Sequence, residues 1–182
     1  SEDTWYSLGG KTEIQAGRVR HNFIPFDAAQ LNQQPFLFHT HPEDLEVMLT
    51  DPYSDFPTRE YRDHVTKFLS STPSRADYSV VADTIERASA DIHPRSLIVH
   101  SLGITEFTYP HDLERIKEMA LKSRDIRDQA LLNFGWHNLG RGRNMVDEAT
   151  VTRRLVDDLN KLLPEGFAVK LHEPGSNLEE AV

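Results

Sequence analysis

The chain has 182 residues, no cysteine and a formal net charge of −9 at pH 7. The missing cysteines exclude disulfides, thiolate nucleophiles and every Cys-containing zinc motif, so any transition metal must be held by histidines and carboxylates. The acidic balance argues against a nucleic-acid partner, and the absence of a run of about 18 apolar residues or a basic-then-apolar leader argues for an intracellular protein without a membrane span.

Residues 5–8, the turn signal Gly9-Gly10-Lys11 and residues 12–26, with Ile14, Val19, Phe23 and Ile24, predict two or three short strands joined by tight turns. Pro35-Phe36-Leu37-Phe38-His39-Thr40-His41-Pro42 reads as a strand ended by proline, whose period of two sets Leu37, His39 and His41 on one face. The polar stretch that follows carries turn signals at Asp51-Pro52 and Phe56-Pro57, then a predicted helix over 58–69. Its aromatics Tyr53, Phe56 and Tyr61 suit either a substrate-covering flap or a self-packed loop.

Thr72 as N-cap and Pro73 at the first helical position predict a helix to about residue 90, with Tyr78, Val81, Ile85 and Ala88 inward. Residues 96–100 and 104–109 predict a strand pair turning at Leu102-Gly103. Helices over 111–133 and 146–163 flank a Gly-rich stretch, 135–144, in which Gly140-Arg141-Gly142-Arg143-Asn144 reads as a solvated basic connection rather than a phosphate or nucleic-acid contact, and Trp136 and His137 as core packing rather than a partner surface. A last strand over 167–171 precedes a polar tail. Early strands, alternating elements and late helices together predict an α/β or α+β fold with a mixed sheet.

An H-x-H on a strand presents two imidazoles on one side, close enough to share an ion, although satisfied surface histidines produce the same pattern. A zinc catalyst needs a third protein ligand and an open position, and without cysteine that ligand is His, Asp or Glu. Ser74 and Asp77, three apart in a first helical turn, would bring a carboxylate to the metal with a hydroxyl beside it. The same S-x-x-D spacing also serves as a plain helix cap. Asp44, Asp51 and His64 are the alternatives for the third ligand.

Together, His39-Thr40-His41-Pro42 and Ser74-Arg75-Ala76-Asp77 resemble the H-x-H-P, spacer, S-x-x-D signature of the JAMM (MPN-plus) zinc metalloproteases, and residues 72–77 are similar to the RadC-like branch. The likeness extends from about residue 2 to about 109. It departs from the family in its spacer, residues 43–73, which is much longer than usual.

The resemblance implies an α/β/α sandwich over residues 1–109, with an insert at 43–72 and a helical extension over 110–182. It implies Zn²⁺ on His39, His41 and Asp77, with Ser74 assisting an oxyanion. Glu2, which precedes Gly9 as a family glutamate precedes its glycine, is implied as general base, with Asp3 and Glu13 as alternatives. The implied activity is metal-assisted cleavage of a peptide or isopeptide bond in a protein or peptide substrate, ubiquitin-like conjugates among them. The competing reading is a catalytically inactive scaffold of the same fold. Zinc deaminases of the standard type need cysteine ligands, and a (β/α)₈ barrel needs about 250 residues, so both are set aside.

Overall fold

In the computed structural model, residues 10–15, 18–23, 36–41, 59–88, 92–134 and 147–172 are described. β1 (Gly10–Gln15) and β2 (Arg18–Phe23) form an antiparallel hairpin with Gln15 opposite Arg18. Gly10 and Lys11 therefore lie within a strand rather than in the expected turn Gly9-Gly10-Lys11, whose first residue lies outside the described residues. A Gly-Gly pair signals a turn only where the chain needs one, and here cross-strand pairing takes up the second glycine.

The main sheet has the order β3-β4-β5-β6. β3 (Phe36–Thr40) runs parallel to β4 (Arg95–His100); β5 (Gly103–Thr108) and β6 (Ala168–His172) add antiparallel neighbours. Gly103 adopts a positive φ of 130°, which explains why the tight turn from β4 to β5 carries glycine there.

A parallel pair requires the chain to travel back the length of the sheet between its two strands. α1 (Arg59–Ser70) and α2 (Arg75–Arg87) lie in this connection. α2, with 13 residues, is about 20 Å long, which matches the roughly 17 Å of a five-residue strand. One helix is thus enough for the return, and α1 is an excursion made before it. Even so, α1 buries Val65, Phe68 and Leu69, so the segment expected as an insert supplies part of the core.

Ser70, Ser71 and Thr72 close the C-terminal end of α1 with their hydroxyls, donating to Lys67 O, Phe68 O and Phe68 O at 3.0, 3.1 and 2.7 Å. With its hydroxyl engaged there, Thr72 is unavailable to the next helix. The N-cap of α2 is instead Ser74, in extended conformation, two residues later than the Thr72–Pro73 pattern predicts.

α3 (Leu113–Phe134) and α4 (Glu148–Leu162) complete the described elements. Together with β6 they add Ile116, Leu131, Leu155, Leu159 and Val169 to the same continuous core as Leu37, Phe68, Val81 and Ile98. Tyr78 of α2 packs edge-on against Phe107 of β5 and Phe167, with ring centroids 5.4 and 5.9 Å apart.

On the sheet face that meets these helices, Leu37, Ser96, Ile98, Thr105, Phe107 and Val169 are buried. The other face carries exposed Val99, Thr108 and Lys170 and an Arg95–Glu106–His172 cluster. The described residues thus form a mixed α/β fold of sheet and helices. The outer edge of β6 is closed by Asn160, whose side-chain amide donates to Val169 O and accepts from Val169 N–H, both at 2.8 Å. No described helix is long and apolar enough to cross a membrane.

Candidate metal centre

β3 delivers His39 to the helix-facing side of the sheet, two residues after buried Leu37, and His41 follows at the same period just past the strand end. α2 begins over this end of the strand. Its N-cap is Ser74, so Asp77 falls at the third helical position, where the partial positive charge of the helix start favours a carboxylate. The Ser74 backbone N–H donates to Asp77 Oδ2 at 2.5 Å and fixes the side chain's direction.

The three residues meet at their polar tips. His39 Nε2 lies 2.8 Å from Asp77 Oδ1, His41 Nε2 lies 3.1 Å from Asp77 Oδ2, and the two Nε2 atoms are 2.8 Å apart. Each Nε2 carries at most one proton and the carboxylate none. Two protons cannot serve all three contacts once both are directed at the carboxylate, and a single proton serves only one. At least one contact is always left without hydrogen, whereas one cation between the atoms satisfies all three. The group fits a transition metal in its chemistry as well: two borderline nitrogen donors and one carboxylate, the set that suits zinc when cysteine is absent.

Burial opposes ionisation of Asp77, but hydrogen bonds from His39 and His41 and their attraction to the carboxylate outweigh it, holding the pKa well below the usual carboxylate range. Asp77 is therefore an anion at neutral pH, as a ligand must be. Its side chain is 7% exposed, His41 is 10% exposed and His39 is 37% exposed, so the group is closed behind the carboxylate and open to solvent beside His39.

Of the residues singled out in the sequence, His39, His41 and Asp77 come together, with Ser74 one helical turn before Asp77. The two readings of Ser74-x-x-Asp77, metal ligand and helix cap, turn out to be compatible. Asp77 accepts the Ser74 N–H with the same carboxylate that meets the imidazoles. Among the described residues the group that could hold a metal contains Asp77 and not His64, which sits on α1 with Nδ1 buried and unpartnered. Glu2, Asp3, Asp44, Asp51, Tyr53 and Phe56 lie outside the described residues, as do Trp136 and the 140–144 stretch; Glu13 and Tyr61 fall on described backbone only.

Two groups escaped the sequence reading. The Tyr78 hydroxyl and Arg127 Nε are buried with no hydrogen-bond partner among the described residues, and Arg127 feels the charge of Asp77. Tyr78 was expected to point inward as an apolar ring, and Arg127 carried no motif. The signal that could have found Arg127 is its position in the buried stripe of α3. No family model, curated protein or solved structure matches the chain.

Proposed function

We propose that the chain is a zinc-dependent hydrolase resembling the JAMM metalloproteases, cleaving a peptide or isopeptide bond in a protein substrate. The observation that supports it most is the meeting of His39 and His41 with Asp77, which lies 36 residues beyond the second histidine in sequence yet converges with both within 4.8 Å. His39 and His41 would hold zinc through Nε2 and Asp77 through its carboxylate. Three protein ligands with one side open to solvent is the pattern of a catalytic zinc, whereas a structural zinc is enclosed by four. A bound zinc supplies Lewis-acid activation of water and of the scissile carbonyl.

The chain's own residues carry the remaining work. The Ser74 N–H orients the Asp77 carboxylate at the start of α2 and the two imidazoles keep it ionised, so the ligand set would be organised before a metal arrives. The Ser74 hydroxyl, half-buried at the same helix start, is the group we assign to the developing oxyanion. Glu2 is assigned proton transfer to the leaving amine on the family resemblance. The proposed substrates are proteins or peptides, ubiquitin-like conjugates among them.

The test is hydrolysis of a panel of ubiquitin-like conjugates and linear peptides by the zinc-loaded full chain. Activity is expected to vanish on chelation and in Glu2→Gln, with that variant retaining zinc. Hydrolysis by Glu2→Gln would move the proton-transfer role to Asp3 or Glu13. An inert zinc-loaded chain across the panel would favour the scaffold reading.

A further inference from the structure

α3 carries a charge inside its core stripe. Buried Ile116, Ala120, Ser123, Ala130 and Phe134 recur at alternating intervals of four and three residues, and that spacing puts Arg127 between Ser123 and Ala130. An arginine so placed ordinarily extends to water or pairs with a carboxylate. Arg127 is half-buried, its Nε is shielded from solvent, and among the described residues that nitrogen has no hydrogen-bond partner.

The packing of α2 on α3 sets where this charge lies. Glu86 near the end of α2 pairs with Lys117 near the start of α3 at 3.2 Å, so the helices run antiparallel. Counting about ten residues forward from Lys117 and nine back from Glu86, at equal rise, brings Arg127 level with Asp77 and Tyr78. The Tyr78 side chain is wholly buried, and its hydroxyl likewise has no partner. Asp77 does not discharge the pair, since its oxygens are already taken by two imidazoles and the Ser74 N–H.

Two buried donor atoms on adjacent helices, with no acceptor among the described residues, call for a ligand that brings only acceptors. We propose that Arg127 and the Tyr78 hydroxyl form a carboxylate-binding site beside the His39–His41–Asp77 centre. The planar guanidinium fork matches the two oxygens of a carboxylate. Ser123 and Ala130, one turn to either side, add little bulk around it. The charge of Asp77 nearby disfavours a dianion such as phosphate. The carboxylate has two sources, a small free acid or the C-terminal carboxylate of a bound peptide, and the second rests on the hydrolase reading above.

The experiment is titration of the full chain with sodium acetate at constant ionic strength, followed by melting temperature and calorimetry, with zinc and after chelation. Wild type is expected to show saturable binding and a rise of several degrees in Tm, with chloride inert. Arg127→Met is expected to lose the acetate response and, without acetate, to melt no lower than wild type, because a buried unpartnered N–H is gone. If that variant does not fold, calorimetry on wild type decides, and absence of saturable heat overturns the proposal. Equal responses in wild type and Arg127→Met, or a response present only with zinc, would also overturn it.

Peptides with a free C-terminus binding at least tenfold tighter than their amides identify a substrate-borne carboxylate. Equal affinities alongside intact acetate binding identify a free acid. Because acetate binding is read without hydrolysis, this site and the hydrolase reading stand or fall separately.

Discussion

Replacing Asp77 by Asn separates its two roles. The side chain keeps its shape and an oxygen that can accept the Ser74 N–H, so the start of α2 survives, but the charged member of the ligand set is lost. Zinc binding by a complete four-ligand site is worth roughly 10–16 kcal/mol, about 3 kcal/mol per ligand. At about 1.4 kcal/mol per tenfold, Asp77→Asn should weaken zinc binding by about two orders of magnitude. Competition against a chromophoric chelator at neutral pH measures this directly. Asp77→Ala should weaken zinc similarly and also cost about 1.5 kcal/mol in urea unfolding, since the Ser74 N–H then loses a charged acceptor. Zinc affinity in Asp77→Asn within a factor of two of wild type would refute the ligand role, whatever the effect on stability.

Three further outcomes follow from the fold. Asn160→Ala removes both hydrogen bonds that close the β6 edge at Val169 and should cost about 2 kcal/mol in chemical unfolding, with faster aggregation; a loss under about 0.5 kcal/mol would contradict the edge-closing role. Gly166→Ala should cost about 1–2 kcal/mol, because φ is +86° and the new Cβ would meet Pro110 Cβ at 3.3 Å; an unchanged Tm would show that the turn can shift. Burial pushes the Tyr109 phenol up to about 12, so between about pH 10 and 12 the unfolded chain loses that proton while the folded chain keeps it, and stability falls as pH rises. That slope is worth about 3 kcal/mol over the window, and it should be smaller in Tyr109→Phe than in wild type when urea unfolding is followed from pH 9 to 12; equal slopes would contradict it.

The candidate metal-binding group was legible because each of its parts rests on a local period. Period two in a strand sets His39 beside His41, and a helical spacing of three sets Ser74 beside Asp77. The long spacer, which looked like an obstacle, is accommodated because α2 alone spans the return from β3 to β4. Whatever precedes α2 can therefore be lengthened at the His41 end of β3. Val65, Phe68 and Leu69 at helical spacing already mark α1 as a packed helix.

Other features were settled by competition between neighbours. Thr72 is as good an N-cap as Ser74 until the carbonyls of α1 claim its hydroxyl, and Gly10 signals a turn until β2 pairs with it. The place of β6 beside β5 depends on tertiary pairing across some 60 residues, which no local pattern encodes. Arg127 was overlooked because arginine is a surface residue by habit, and only the buried stripe on either side of it marks its position as interior.

The most direct test of the metal centre is X-ray absorption at the zinc edge on the full chain loaded with one equivalent of Zn²⁺. A nitrogen and oxygen shell with scattering from two imidazoles is expected, falling to one imidazole in His41→Ala. A shell without imidazole, or one unchanged in His41→Ala, would contradict the assignment of His39, His41 and Asp77 as the zinc ligands.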